Sequence, residues 1–231
     1  MTKSFFLFAF TFIMGHAVAQ TIPGNAVPTI QFRDVNGRFI PAGENGIQGS
    51  PYVFAEFGMG KLMMTNGIEA IDSNLNYSLA DHKLYFIKNK GMYLVNQPVK
   101  YFQLNGVDKD NNKLVKNFAS GYPAIENNSP TTFYEVIGEN ASHHLLKYTK
   151  KSVKETTVYG SAPIKEYTTD HMYCVYSIAA KKMLLVGSSL TLKNLKKILP
   201  EKAAQLDQIN ESLKLNLKKE EDAKTLFEKL N

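Results

Sequence analysis

The chain is expected to fold as an α+β protein, with an antiparallel β-rich meander as its body followed by a C-terminal helical segment. Two observations on the spacing of apolar residues predict this, and a third bounds how the fold is held. Between about residues 51 and 187, short runs rich in Tyr, Phe, Val and Ile recur, separated by Asn-Gly and other turn residues. After Gly187 the apolar spacing changes to three and four residues, the period of a helix face. The chain has 231 residues and a single cysteine, Cys174, so its stability must come from burial, without an internal disulfide.

The first residues read as an export signal. Met1-Thr2-Lys3 is followed by the almost wholly apolar run Phe5 to Met14, and then by Ala17-Val18-Ala19 before Gln20. A basic start, an apolar core and small residues at −3 and −1 are the parts of a secretory signal peptide, so residues 1–19 are assigned to it, with cleavage after Ala19. The apolar run is too short to span a bilayer, which needs about 20 residues. Residues 20–50 read as an arm or linker rich in Gly, Pro and Asn, with one hairpin centred on Asn36-Gly37.

Residues 51–187 form the expected body. Lys61 to Thr65 and Ile68 to Ile71 flank Asn66-Gly67, and Lys83 to Ile87 and Met92 to Val95 flank Lys88 to Gly91, giving two hairpins. Val99 to Leu104 is expected to end at Asn105-Gly106. Thr132 to Ile137, His143 to Tyr148, Met172 to Ile178 and Lys181 to Val186 are further strands, and the polar stretch Lys150 to Asp170 is a long hairpin or an excursion from the sheet. Sequential strands joined by tight turns pair as antiparallel neighbours.

Residues 188–231 are assigned to helices packed on the body. Leu192, Leu195 and Leu199 share a face behind Thr191 as N-cap. Pro200 ends that helix and starts the next, which carries Ala203, Leu206 and Ile209. Leu213, Leu215 and Leu217 alternate as a short extended link. Glu220-Glu221-Asp222 then opens a last helix with Ala223, Leu226, Phe227 and Leu230, its acidic start suiting the helix dipole.

Composition and motifs narrow the chemistry. The 27 basic and 21 acidic residues leave a net charge of +6, scattered rather than gathered on one face with aromatics, so nucleic acid is not an expected partner. No transmembrane segment is expected, and contact with a membrane is at most peripheral. Asp108 to Asn112 resembles the start of a calcium loop, but Lys113 and Ala119 occupy the positions that need Gly and a bidentate Glu. His143 and His144 are neighbours on a strand and point to opposite faces, as do His171 and Cys174. No metal ligand, cofactor or catalytic residue is therefore assigned. Tyr77, Tyr85, Tyr93, Tyr101, Tyr134 and Tyr148 lie on or near strands, either as ordinary packing residues or as an exposed row for sugar or peptide. The lack of any Trp counts against sugar. Asn76, Asn127, Asn140 and Asn210 each head an Asn-x-Ser sequon.

Gly49-Ser50-Pro51-Tyr52-Val53-Phe54-Ala55-Glu56-Phe57 with Gly60-Lys61-Leu62, together with Leu195 to Pro200, Leu213-Lys214-Leu215 and Lys218-Lys219-Glu220-Glu221-Asp222, resembles a family of uncharacterised secreted β-rich proteins from Bacteroidetes-type bacteria. The resemblance implies an envelope location and supplies no site residues. The expectation is a periplasmic or extracellular, non-catalytic binding or envelope-support protein, its partner an envelope component or an apolar ligand. Two alternatives stand beside it: a carrier of a lipid or other apolar ligand in a curved sheet, and a hydrolase with a dispersed site.

Overall fold

The computed structural model describes residues 47–108, 110–157 and 163–230. The expected signal peptide, its cleavage after Ala19 and the hairpin around Asn36-Gly37 lie outside the described residues. The strands are β1 (Ile47–Gln48), β2 (Gly58–Met64), β3 (Glu69–Ser78), β4 (Lys83–Lys88), β5 (Gly91–Leu94) and β6 (Val99–Val107). They continue with β7 (Lys113–Ala119), β8 (Tyr134–Glu139), β9 (His143–Thr156), β10 (Ile164–Ser177) and β11 (Lys182–Gly187). Three helices follow: α1 (Leu192–Ile198), α2 (Ala203–Leu213) and α3 (Glu220–Lys229), with a 3-10 turn at Pro200–Lys202 before α2.

The strands form one sheet in the order β1-β10-β9-β8-β7-β6-β2-β3-β4-β5, with β11 also on β10. The fold is therefore β-rich with helices near the C-terminal end, but a simple meander holds only in parts. β2 sits between β3 and β6, and β1 runs parallel to β10. Both expected hairpins are present. At the first, Gly67 alone takes a left-handed φ of 83°, and Met64 N–H donates to Ile68 O at 2.8 Å. At the second, Asn89 and Lys90 both have positive φ (50° and 63°), the geometry of a type I′ turn.

The sheet curls until distant strands meet. Lys151 N–H on β9 donates to Leu79 O just beyond β3 at 2.9 Å, and Val53 N–H donates to Tyr77 O at 2.9 Å. The Lys151 ammonium is half-buried there and donates to Ser50 O (2.6 Å) and Tyr52 O (2.9 Å), and burial holds its pKa below the usual range. Asn76 is fully buried and clamps the same segment, its Nδ2 donating to Phe54 O at 2.8 Å and Glu56 O at 3.2 Å.

Two main cores result. The first lies inside the curl, where the rings of Tyr77, Phe102, Phe118 and Phe133 pack at centroid distances of 4.7–6.0 Å. The second lies between the helices and one face of β8–β11, where Leu195, Leu206, Leu226, Phe227 and Leu230 are fully buried with Leu145 and Val175. Burying each such side chain is worth roughly 1.5–3 kcal/mol, which is why these short helices hold in water. A smaller cluster of Tyr134, Leu146, Cys174 and Met183 occupies the opposite face under Tyr122 and Ile125. Thr191 caps α1 as expected, its Oγ1 accepting from Asn194 N–H at 3.1 Å. α3 seats directly on β8 because residue 138 is glycine; a Cβ there would lie 3.2 Å from both Lys224 Cα and Phe227 Cβ. Asn140, in the β8–β9 turn, closes the far end of α3, its Nδ2 donating to Phe227 O (2.9 Å) and Leu230 O (2.7 Å).

Four expectations are corrected. Asn105-Gly106 is not a turn: β6 runs through it to Val107, because the ring of Phe54 lies where a Cβ at 106 would be, 2.3 Å away. The strand Lys113–Ala119 was not expected, since Lys116 occupies an inward position that an apolar residue would normally mark. The link Leu213 to Leu217 is not extended: Leu213 ends α2, Lys214 turns the chain at φ 52°, and Leu215 and Leu217 pack into the second core. The arm is structured at its end, where Ile47–Gln48 pairs with Lys165 and Glu166 of β10. The polar stretch Lys150 to Asp170 supplies the outer halves of the β9–β10 hairpin.

Candidate binding cleft at a split in the sheet

β7 and β8 are joined only by Phe118↔Glu135 and Ala119↔Tyr134. Beyond these pairs they separate, for a local reason. A bulge between Val136 and Gly138 interrupts the pairing of β8 with β9 and bends the strand just past its last pair with β7, while α3 seats on Gly138. Two clefts meet at this split and share Asn117, Val136 and Glu139.

The first cleft, about 640 Å³, opens on the face away from the helices. Strand alternation places Met63, Tyr101, Ala119, His144 and Tyr176 on that face, and the connection Ser120-Gly121-Tyr122 forms a wall. Gly121 turns the wall at φ 94° and donates to Pro130 O at 2.8 Å. Tyr122 meets His144 through a 3.0 Å contact between its hydroxyl and Nδ1, and its ring stands edge-on to Tyr176 at 5.2 Å. The Tyr101 hydroxyl donates to Asn117 Oδ1 at 2.7 Å, and Gln103 Nε2 donates to the same oxygen at 2.9 Å. Burial first, and then the Glu139 carboxylate, push the phenols of Tyr101 and Tyr122 above their ordinary pKa. Both therefore remain neutral hydroxyls at physiological pH.

The second cleft, about 400 Å³, lies between β7, β8 and α3. Lys116 is ion-paired with Glu135, and Lys147 with Glu220, which also accepts from the Tyr173 hydroxyl at 3.3 Å. Burial alone would raise the Glu220 carboxyl, but the charge and hydrogen bond of Lys147 outweigh it, so the pKa lies below the usual value. Glu220 is thus a fixed anion and a poor proton donor at neutral pH. Among the described residues, Glu139 and Glu221 make no ion pair.

Of the six tyrosines noted in the sequence, only Tyr101 lines the aromatic cleft; Tyr77, Tyr85 and Tyr134 are buried. Tyr122 and Tyr176 were missed. Tyr176 alternates with the buried Cys174 on a strand, which is a readable signal, whereas Tyr122 stands in a loop with no period. His143 and His144 take opposite faces: His143 is buried, with Nδ1 3.0 Å from Ser142 Oγ. His171 lies against Tyr173, and Cys174 is buried on the other face. Asp108 is engaged by its own loop, accepting from Asp110 N–H and Asn112 N–H at 2.8 Å each. No group of three or more His, Cys, Asp or Glu side chains among the described residues is placed to hold a metal ion. No described helix is long and apolar enough to cross a membrane. Comparison with protein-family models, curated proteins and solved structures finds no match for this chain.

Proposed function

We propose that the chain is an exported, non-catalytic binding protein of a bacterial envelope, and that the split between β7 and β8, with its aromatic cleft, is where it binds. The observation that carries this reading is the cleft itself: tyrosine rings, a histidine and neutral hydroxyls held in place by their own hydrogen bonds. Preset aromatic surface with a few oriented polar groups favours recognition at little entropic cost. Glu139 is the one carboxylate among the residues that line this cleft, so no acid–base pair of carboxylates stands there, and Glu135 and Glu220 beyond it are tied to lysines, which supports binding over hydrolysis. The carrier alternative loses support because the space inside the curled sheet is filled by Tyr77, Phe86, Phe102 and Leu104, all buried. A lipid chain would have to displace them, at roughly 3–5 kcal/mol for each aromatic ring lost from the core.

The test is a side-chain chemical-shift titration of the chain from Gln20 with short peptides and with glycan fragments of peptidoglycan. Shifts at Tyr101, Tyr122 and His144 with no product formed would support the reading. Turnover of any member of the panel would overturn it, and so would a panel that moves none of the three signals.

A further inference from the structure

We infer that the split between β7 and β8 is a docking slot for one extended, basic peptide segment, which enters the sheet as an additional strand between them. This rests on the binding reading above and names the partner's chemistry. Antiparallel β7 and β8 share only two residue pairs. On the sides that face each other, the backbone of β7 before Phe118 and of β8 after Glu135 is left without ladder partners among the described residues. Unpaired N–H and C=O groups along a strand edge are a template for another strand. A split inside a sheet offers two such edges to one guest. Because β7 and β8 run antiparallel, the guest lies parallel to one and antiparallel to the other. The free stretch, Lys113–Asn117 opposite Val136–Glu139, is long enough to pair with four or five residues of guest.

Charge decides which peptide. The slot is lined by five glutamates and two lysines, although the whole chain carries a net charge of +6. Lys116 is already paired with Glu135, and Lys224 stands 4.0 Å from Glu228, so the carboxylates left over are those of Glu139 and Glu221. Glu139 is in register with His144 and so takes the face away from the helices, while Glu221 stands on α3 over the other face, so the guest that fits carries lysine or arginine on both faces. An acidic guest would meet like charge.

The test uses the chain from Gln20 and three acetylated, amidated pentapeptides: Lys-Lys-Val-Lys-Lys, the same peptide N-methylated at its central valine, and Glu-Glu-Val-Glu-Glu. Amide exchange and side-chain shifts are read together. The basic peptide is expected to slow exchange in both Lys113–Asn117 and Val136–Glu139, the N-methylated form to lose that protection, and the acidic peptide to give none. Glu139→Gln with Glu221→Gln, both at exposed positions, is expected to weaken the basic peptide about three- to tenfold at low salt. Protection at β5 or β11 instead would overturn strand insertion. Ring shifts at Tyr101 or Tyr122 without edge protection would overturn insertion and leave the binding reading standing. Silence from edges and rings alike would overturn insertion, with the glycan panel then deciding the broader reading.

Discussion

His82 shows how one side chain can join distant parts of a curled sheet. It follows β3 at a left-handed φ of 56°, sets Nδ1 3.2 Å from the Tyr77 hydroxyl and Nε2 2.9 Å from that of Tyr148, and stacks on the Tyr148 ring at 5.0 Å. A neutral imidazole has one N–H and one lone pair, so one phenol accepts and the other donates. Burial holds His82 below its ordinary pKa, against the pull of Asp81 and with the help of Lys150, and burial lowers His143 likewise. A histidine depressed in the fold contributes stability that is complete above its unfolded pKa of about 6.5 and drains as pH falls from there towards the folded value. Glu220 is also depressed, so its contribution persists to lower pH and is lost only below the unfolded carboxylate value of about 4.3. Urea midpoints should therefore fall in two stages between pH 8 and pH 3, the first reduced in His82→Gln. A midpoint unchanged from pH 8 to pH 5 would contradict this account.

Asn140 supports a sharper prediction at the same scale. Its Oδ1 accepts from Ser142 N–H, Ser142 Oγ and His143 N–H, while its Nδ2 serves two carbonyls at the end of α3. Asn140→Ala strands those groups and should destabilise by about 1–3 kcal/mol. Asn140→Asp keeps the acceptor but places a carboxylate at the negative end of a helix dipole. Equilibrium denaturation should find it no better than alanine. A variant that recovers wild-type stability would show that the two carbonyl contacts are idle. Both Asn76 and Asn140 head sequons, yet each amide is already committed inside the fold.

Elements were legible where local chemistry and tertiary demand agreed. The hairpins at Asn66-Gly67 and at Asn89-Lys90, the N-cap at Thr191 and the break at Pro200 all follow from short-range rules. β7 was hidden because its inward positions include Lys116, which a partner on β8 neutralises, and pairing across strands leaves no trace in one strand's pattern. Gly106 misled for the opposite reason: its signal is that of a turn, but its use is to seat the ring of Phe54. The cleft was the least legible part. Tyr101, Tyr122, His144 and Tyr176 come from four separate segments, and only the register of the sheet brings them together.

At the scale of the molecule, the split marks the border between the two main cores: Leu114 of β7 packs against the first and Ile137 of β8 belongs to the second. The helices supply most of the second core, so a chain ended after Gly187 would leave Ile137, Leu145, Val175 and Val186 bare on one face of the sheet. Residues 20–187 should aggregate or melt without cooperativity, as light scattering and calorimetry would report. A monomer that melts cooperatively at the temperature of the chain from Gln20 would show that the helices are dispensable to the sheet.

The Lys151 clasp has a mechanical consequence. Tension arriving through the residues before Ile47 would act first on two residue pairs of parallel strand, Ile47↔Lys165 and Gln48↔Glu166, which are few enough to peel. The next carbonyls in line, at Ser50 and Tyr52, are held by a half-buried ammonium on the longest hairpin in the sheet. Charged hydrogen bonds of this kind resist rupture better than neutral ones. Peeling would halt there, before Phe54 is drawn out of its seat on Gly106, so a pull at Ile47 would open the short parallel pairing while the first core stays shut.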